Sequence, residues 1–389
     1  MTPPSIPTTH LAVAVTTPGQ PLHLVRRPTT LPSLSEALIH VTWTGSSPID
    51  LHRADGGLLL GDTTPTNPFI LGCTFGGTVV ALGSNSSSSH LAVGDTVYGF
   101  VQDGAEQEAG YQEYVTVPTW KVSKLPSSSP LSLQEAVTVP GNLVTAMHVV
   151  TEDLGLALPW PVTPPPTAAG VAGEGILVWG AASGVGMYVV QVLRHWGYGN
   201  VLAVASARHH GMLKELGARV CFDYRKEGVV EEILGYVEKS VGNGGSGPKV
   251  PFIVDCIGST EGTLRPLTKI AEPGSKVGVM LPVINVHAGQ GQEPDLEMDV
   301  SKVLPGEWKE GVELKGTRTF FYAKNEFFKN HLQPEIVPAL LEQGVIQPNK
   351  QRIVEGKTML ERAQNALNLL RDQAVSGEKL VWRVADEAN

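Results

Sequence analysis

The stretch Gly175–Gly197, GILVWGAASGVGMYVVQVLRHWG, constrains this chain more than any other. It opens on an apolar run, Ile176–Trp179, with the length and content of a buried parallel strand. Gly180, Ala181, Ala182, Ser183, Gly184, Val185 and Gly186 follow, after which Val185, Val189, Val192 and Leu193 share one face of a helical pattern. A strand, a small-residue turn and a helix start together make an anion site. Amides point out of the first helical turn, the helix dipole favours negative charge there, and small residues let phosphates approach. Laid on GxGxxG, the chain gives Ala181, Ser183 and Gly186, so only the last glycine is strict. Alone, the turn also fits an ordinary strand-to-helix connection. No charge falls between Glu174 and Arg194, yet four glycines, Ser183 and Gln191 make this span a poor membrane helix.

The segments beyond the turn favour a dinucleotide. Val201–Ala205 is a second strand-like run ending in Ser206, Ala207, Arg208, His209 and His210. Ser206 stands twenty positions past Gly186, where an NAD site carries an acid for the ribose 2′-hydroxyl. A hydroxyl and a guanidinium instead suit a 2′-phosphate, so the expected cofactor is NADPH. The alternative is a loop that is basic for no functional reason. Lys214–Tyr224 reads as a helix end at Gly217 and a third strand, Phe252–Gly258 as a fourth and Lys276–Leu281 as a fifth. Strands alternating with helices predict an α/β fold with a doubly wound parallel sheet.

With 389 residues the chain can hold two domains. A net charge of −9 argues against nucleic acid or an anionic membrane as the main partner. The three cysteines, Cys73, Cys221 and Cys256, are far apart, which disfavours a disulfide framework or a structural zinc lobe. The N-terminus lacks a signal-peptide pattern, so the expected location is cytoplasmic.

Residues 1–8 read as a disordered lead-in. From Leu11 to Val117 short strands bounded by Gly, Pro and Ser (LAVAV, ALIHVTW, GGTVVAL, GDTVYGF, YQEYVTV) predict a barrel-like β domain. Gly83–His90 is a low-complexity surface loop. Leu131–Val150 has helical periodicity broken at Pro140 and Gly141, and the proline-rich Leu154–Glu174 reads as an extended connection. After about Val300, Leu314–Tyr322 is expected to return to β structure. Helical patterns at Glu335–Leu341 and Leu360–Gln373 precede the strand-like Lys379–Val384, which is expected to pair back into the N-terminal part.

From Leu11 to Val384 the chain resembles the medium-chain dehydrogenase/reductase superfamily, through PFILGCTFGGTVVALG, GDTVYGF, GYQEYVTVP, VWGAASGVG, ELGARVCFDY, FIVDCIG and SGEKLVWRV. Within it, the chain is most similar to the zinc-free quinone-reductase and enoyl-reductase branch, and above all to fungal trans-acting enoyl reductases serving polyketide synthases. The resemblance implies a Rossmann domain at 151–314 inserted in a β-rich GroES-like catalytic domain at 1–150 plus 315–389. It implies a monomer, or a homodimer paired through a sheet edge around Lys276–Val286. Where zinc-dependent members place their ligands stand Ser47, Cys73, Thr74 and Asn142, and one thiol cannot build a tetrahedral site, so no metal is expected.

Without a Lewis acid, reduction of an activated double bond is easier than oxidation of an alcohol, and it needs donors at the developing oxyanion. His52, Thr145, Asn142 and Tyr111 are donors in the right segments. His52 stands at the superfamily's proton-relay position, where fungal enoyl reductases more often carry Lys. A near-neutral His52 would hydrogen-bond the nicotinamide ribose or give a proton. The resemblance places Thr145, in PGNLVTA, beside the nicotinamide. Both have structural alternatives, a satisfied core histidine and a helix-interior threonine. The expected cofactor contacts are Asp50, Ala182, Ser183, Gly184, Val185, Gly186, Ser206, Arg208, Tyr224, Ile257, Gly258 and Leu281.

Three functions follow from this: an NADPH-dependent reductase of a free or carrier-bound enone or enoyl substrate, a quinone or enal reductase, and a non-redox, cyclase-like or scaffolding NADPH binder.

Overall fold

A computed structural model describes residues 6–85, 90–101, 106–162, 175–240, 247–289 and 291–385. Most of the expected lead-in, Ser86–Ser89 of the low-complexity loop and residues 163–174 of the proline-rich connection lie outside them. The chain divides into two compact units. The first comprises Met1–Gly141, His287–Pro294 and Ala323–Asn389, and the second Asn142–Val286 and Asp295–Tyr322.

In the second unit the apolar runs become six parallel strands: β1 (Ile176–Trp179), β2 (Val201–Val204), β3 (Val220–Phe222), β4 (Phe252–Asp255), β5 (Lys276–Met280) and β6 (Glu313–Thr317). Their spatial order is β3-β2-β1-β4-β5-β6. The order reverses beside β1, and open α/β sheets bind ligands past the strand ends at such a switch point. Residues of β1, β2 and β4 are buried on both faces, which explains their unbroken apolar runs. The helix Gly184–His195 is likewise buried all along Gly186–Leu193 rather than on one stripe.

Two expectations need correcting here. Leu314–Tyr322 does not return to the β-rich part: Glu313–Thr317 is the sixth parallel strand, and Thr319–Lys324 is a 3-10 helix. As an edge strand, Glu313–Thr317 alternates exposed and half-buried positions, so it carries no apolar run. Nor is Lys276–Val286 a free sheet edge. Lys276–Met280 pairs on both sides, and Val283–Val286 forms a separate hairpin with Asp295–Glu297.

The first unit is antiparallel-rich. Its main sheet runs Gln351–Ile353, Lys379–Arg383, Glu36–Ser46, Thr74–Leu82, Thr96–Phe100, Val122–Lys124, with Tyr114–Pro118 also on Glu36–Ser46. Lys379–Arg383 pairs antiparallel with Glu36–Ser46, and Trp382 is buried there, its Nε1 donating to Ser46 Oγ at 2.9 Å. A smaller sheet joins His23–Pro28, Thr9–Val15 and Phe69–Ile70. The helix Pro48–Gly56 is tied to the helix Met359–Arg371 by a fork from Arg371 to both Asp55 carboxylate oxygens, at 2.7 and 2.8 Å. No described helix is long and apolar enough to cross a membrane.

Candidate functional site

The turn after β1 is set by backbone crowding. A β-carbon on Gly186 would lie 2.4 Å from the Gly180 carbonyl oxygen and 2.7 Å from Ala181 Cα, so only glycine lets the helix start this close to the strand. Ser183 caps the helix, its Oγ accepting from the Gly186 amide at 3.0 Å. The Gly180 and Ala181 amides donate to Val204, and the Ser183 amide to Gly180. Among the described residues, no protein acceptor takes the amides of Ala182, Gly184 or Val185. Three open donors at a helix start are what a pyrophosphate needs.

Past β4 the chain turns through Ile257 and Gly258. Asp255 is fully buried and organises this turn, accepting from the Ile257 amide at 3.0 Å, the Gly258 amide at 3.1 Å and Thr263 Oγ1 at 2.7 Å. Burial pushes its carboxyl up to about 6, against those hydrogen bonds. A β-carbon on Gly258, at φ +73°, would meet the Met280 carbonyl oxygen at 2.4 Å, which pins this turn to the end of β5 beside the half-buried Leu281. Ile257 itself is 40% exposed.

Past β2 and β3 the groups are basic. Ser206 is buried at the end of β2, whereas Arg208 is exposed and donates through Nε to His209 Nε2 at 3.2 Å. Past β3, Tyr224 is exposed, with the Arg225 guanidinium 5.4 Å from its ring centroid. Sequence reasoning named Ser206, Arg208 and Tyr224 and missed His209, Arg225 and Asp255. The signals for these were the histidine directly after Arg208, the basic residue directly after FDY and the acid closing the apolar FIVD run.

The two catalytic candidates fall in different units. Thr145, in the helix Pro140–His148, is mostly buried in the second unit with its hydroxyl 3.0 Å from that of Thr319. His52, in the helix Pro48–Gly56 of the first unit, is buried. Among the described residues its Nδ1 has no hydrogen-bond partner. Burial, with His287 and Arg53 nearby, lowers its pKa to about 4, which corrects the expectation of a near-neutral histidine. At neutral pH it is a neutral imidazole with one N–H to offer.

Two expected site residues are fully buried and held by protein partners. Asp50 is fully buried and wholly engaged, taking the Ser47 amide at 2.8 Å and the Gly72 amide at 3.1 Å, so it has no surface to offer a cofactor. Tyr111 is equally buried, its hydroxyl paired with Ser46 Oγ and its ring edge-on to Trp382 at 4.7 Å. Asn142 is half-buried. Cys73 is buried and accepts from Arg53 Nη1 at 3.3 Å, and burial pushes its thiol pKa up. Among the described residues no three His, Cys, Asp or Glu side chains are placed to hold a metal ion.

The family described as "Alcohol dehydrogenase GroES-like domain" matches residues 33–127, and that described as "Zinc-binding dehydrogenase" matches residues 184–281. The chain belongs to the medium-chain dehydrogenase/reductase superfamily, an oxidoreductase class built from a GroES-like and a Rossmann-type part. Among curated relatives, the trans-enoyl reductase tazE of Aspergillus terreus is 32% identical over 235 residues, 59% of this chain and 73% of that protein. An uncharacterised protein of Saccharomyces cerevisiae is 31% identical over 218 residues, 52% of this chain and 54% of its own length, so the chain spans about half of that relative. A mycobacterial protein solved in complex with NADPH shares the fold, with a TM-score of 0.65 and 23% identity over 96% of this chain and 99% of that one.

Proposed function

We propose that this protein is an NADPH-dependent, zinc-independent reductase of activated carbon–carbon double bonds, acting on a free or carrier-bound enoyl or enone intermediate. The observation that carries this is the row of open amides at Ala182, Gly184 and Val185, followed past β2 and β3 by Arg208, His209 and Arg225. Pyrophosphate suits the first set and a 2′-phosphate the second. When bound, the nicotinamide supplies a hydride for the β-carbon of the substrate. His52, held neutral, offers an N–H to the oxygen on which charge gathers, acting as a hydrogen-bond donor rather than an acid. Thr145 is the second proposed donor, its hydroxyl oriented by Thr319. Zinc independence is supported by Ser47, Thr74 and Asn142 standing where zinc-dependent members place ligands, which leaves Cys73 as the one thiol there. The trans-enoyl reductase relatives support a setting in fungal polyketide metabolism, and three free cysteines suit a cytoplasmic one.

The deciding experiment follows NADPH absorbance, with NADH in parallel, against short enoyl thioesters, enals and quinones. Thioester reduction with NADPH preferred is the expected result. Faster turnover of quinones would replace this reading with quinone reduction, and tight NADPH binding without turnover of any acceptor would favour a non-redox role.

A further inference from the structure

Histidine 209 sits among cations. Arg208 donates its Nε–H to His209 Nε2, so that ring nitrogen is an acceptor here and the ring is neutral, with its proton on Nδ1. Arg225 reaches in from the turn past β3, and His210 follows on the next helix, its Nε2 donating to the Ala205 carbonyl at 3.0 Å. The acid facing this group is Asp223, whose carboxylate takes the Arg225 amide at 3.0 Å and the Ala207 amide. Burial first, and then Arg208, Arg225 and His210, hold the imidazolium of His209 below its ordinary range.

We propose that His209 takes up one proton when a 2′-phosphate binds, so that preference for the phosphorylated dinucleotide strengthens as pH falls; this rests on the NADPH reading above. A phosphate oxygen is a stronger acceptor for Arg208 Nε–H than an imidazole nitrogen, so it frees His209 Nε2. That nitrogen then gains a proton from solvent and donates it in a hydrogen bond to the phosphate. Two negative charges beside Arg208 and Arg225 reverse the local sign that disfavours the imidazolium. A 2′-phosphate has its second pKa near 6, so above about pH 7 it arrives already dianionic and releases little proton of its own. Neutral His209 is thus the acceptor, and linkage makes affinity rise by up to about tenfold per pH unit between its free and bound pKa values.

The test is calorimetric titration of the full chain with adenosine 2′,5′-bisphosphate and with 5′-AMP at pH 7.5, in two buffers of different ionisation enthalpy. The expected result is uptake of a fraction of one proton with the bisphosphate and none with 5′-AMP. His209→Gln should still bind the bisphosphate, more weakly and without uptake, while His210→Gln keeps the uptake. Tighter binding of the bisphosphate with no uptake, or uptake that survives in His209→Gln, overturns this inference alone. Equal binding of the two nucleotides overturns the 2′-phosphate site and this inference with it.

Discussion

Gly186 stands so close to Gly180 that a β-carbon on it would lie 2.4 Å from the Gly180 carbonyl oxygen. The three nearest contacts that a methyl would make, with the Gly180 oxygen and with Ala181 Cα and carbonyl carbon, are all with backbone, which cannot swing aside as a side chain can. Gly186→Ala is therefore expected to destabilise the second unit by about 1–3 kcal/mol and to weaken NADPH binding. Gly211→Ala is the matched control: its β-carbon would meet nothing within 4 Å in the helix His210–Leu216, and gains about 0.5–1 kcal/mol from helix propensity. Thermal melts and a fluorescence titration with NADPH check both. Equal melting points for the two variants would contradict the crowding argument.

The parallel sheet was legible because β1, β2 and β4 are buried on both faces and write that burial as apolar runs. Strand β6 was not, because an edge strand such as Glu313–Thr317 alternates in burial and so looks antiparallel. Among site residues, the turn at Ala182–Gly186 was legible from its small residues, since their size is itself the requirement. The engagement of Asp50 and Tyr111 was not legible, because sequence gives a residue type and not its burial; each is held by a partner elsewhere in the chain, Gly72 and Ser46 respectively. The low pKa of His52 was hidden for the same reason, as it depends on the packing around the ring and on His287, 235 positions away.

Gly184 opens the helix and contributes one of the three open amides. An acid at a helix N-terminus is favourable to the helix, so Gly184→Asp should keep or raise the melting temperature. The same carboxylate would face the pyrophosphate, and like charges set together cost several kcal/mol. NADPH affinity should fall by about a hundredfold or more. Retained NADPH binding in a well-folded variant would show that the phosphates lie elsewhere.

Asp255 accepts from the amides of Ile257 and Gly258 and from Thr263 Oγ1. Asparagine keeps one acceptor oxygen and turns an NH2 group toward a donor. Asp255→Asn is expected to lose about 1–3 kcal/mol in urea unfolding, and to raise the Kd for NADPH by loosening the Ile257–Gly258 turn. Leu267→Ala, a core truncation of at least similar cost, serves as the comparison. If it raised the Kd equally, the effect would be general softening of the unit and not the turn.

His52 gives a pH signature whose sign can be worked out. Its pKa is about 4 when folded and near 6.5 when unfolded, so between these values the unfolded chain binds the extra proton. Stability therefore falls as pH drops from 6.5 toward 4, by at most roughly 3 kcal/mol from this one group. Asp153 and Asp255, both pushed up to about 6 by burial, act in the opposite direction over the same range, because the folded state holds their protons more tightly. The net curve of the wild type thus mixes both signs, and the informative quantity is the difference made by one substitution. His52→Phe removes the histidine's share, so its unfolding free energy should fall less than that of the wild type between pH 6.5 and 4.5. Chemical denaturation at several pH values measures this. Curves of the two proteins that stay parallel across the interval would mean that His52 is not held neutral by the fold, and would return it to the list of candidate proton donors.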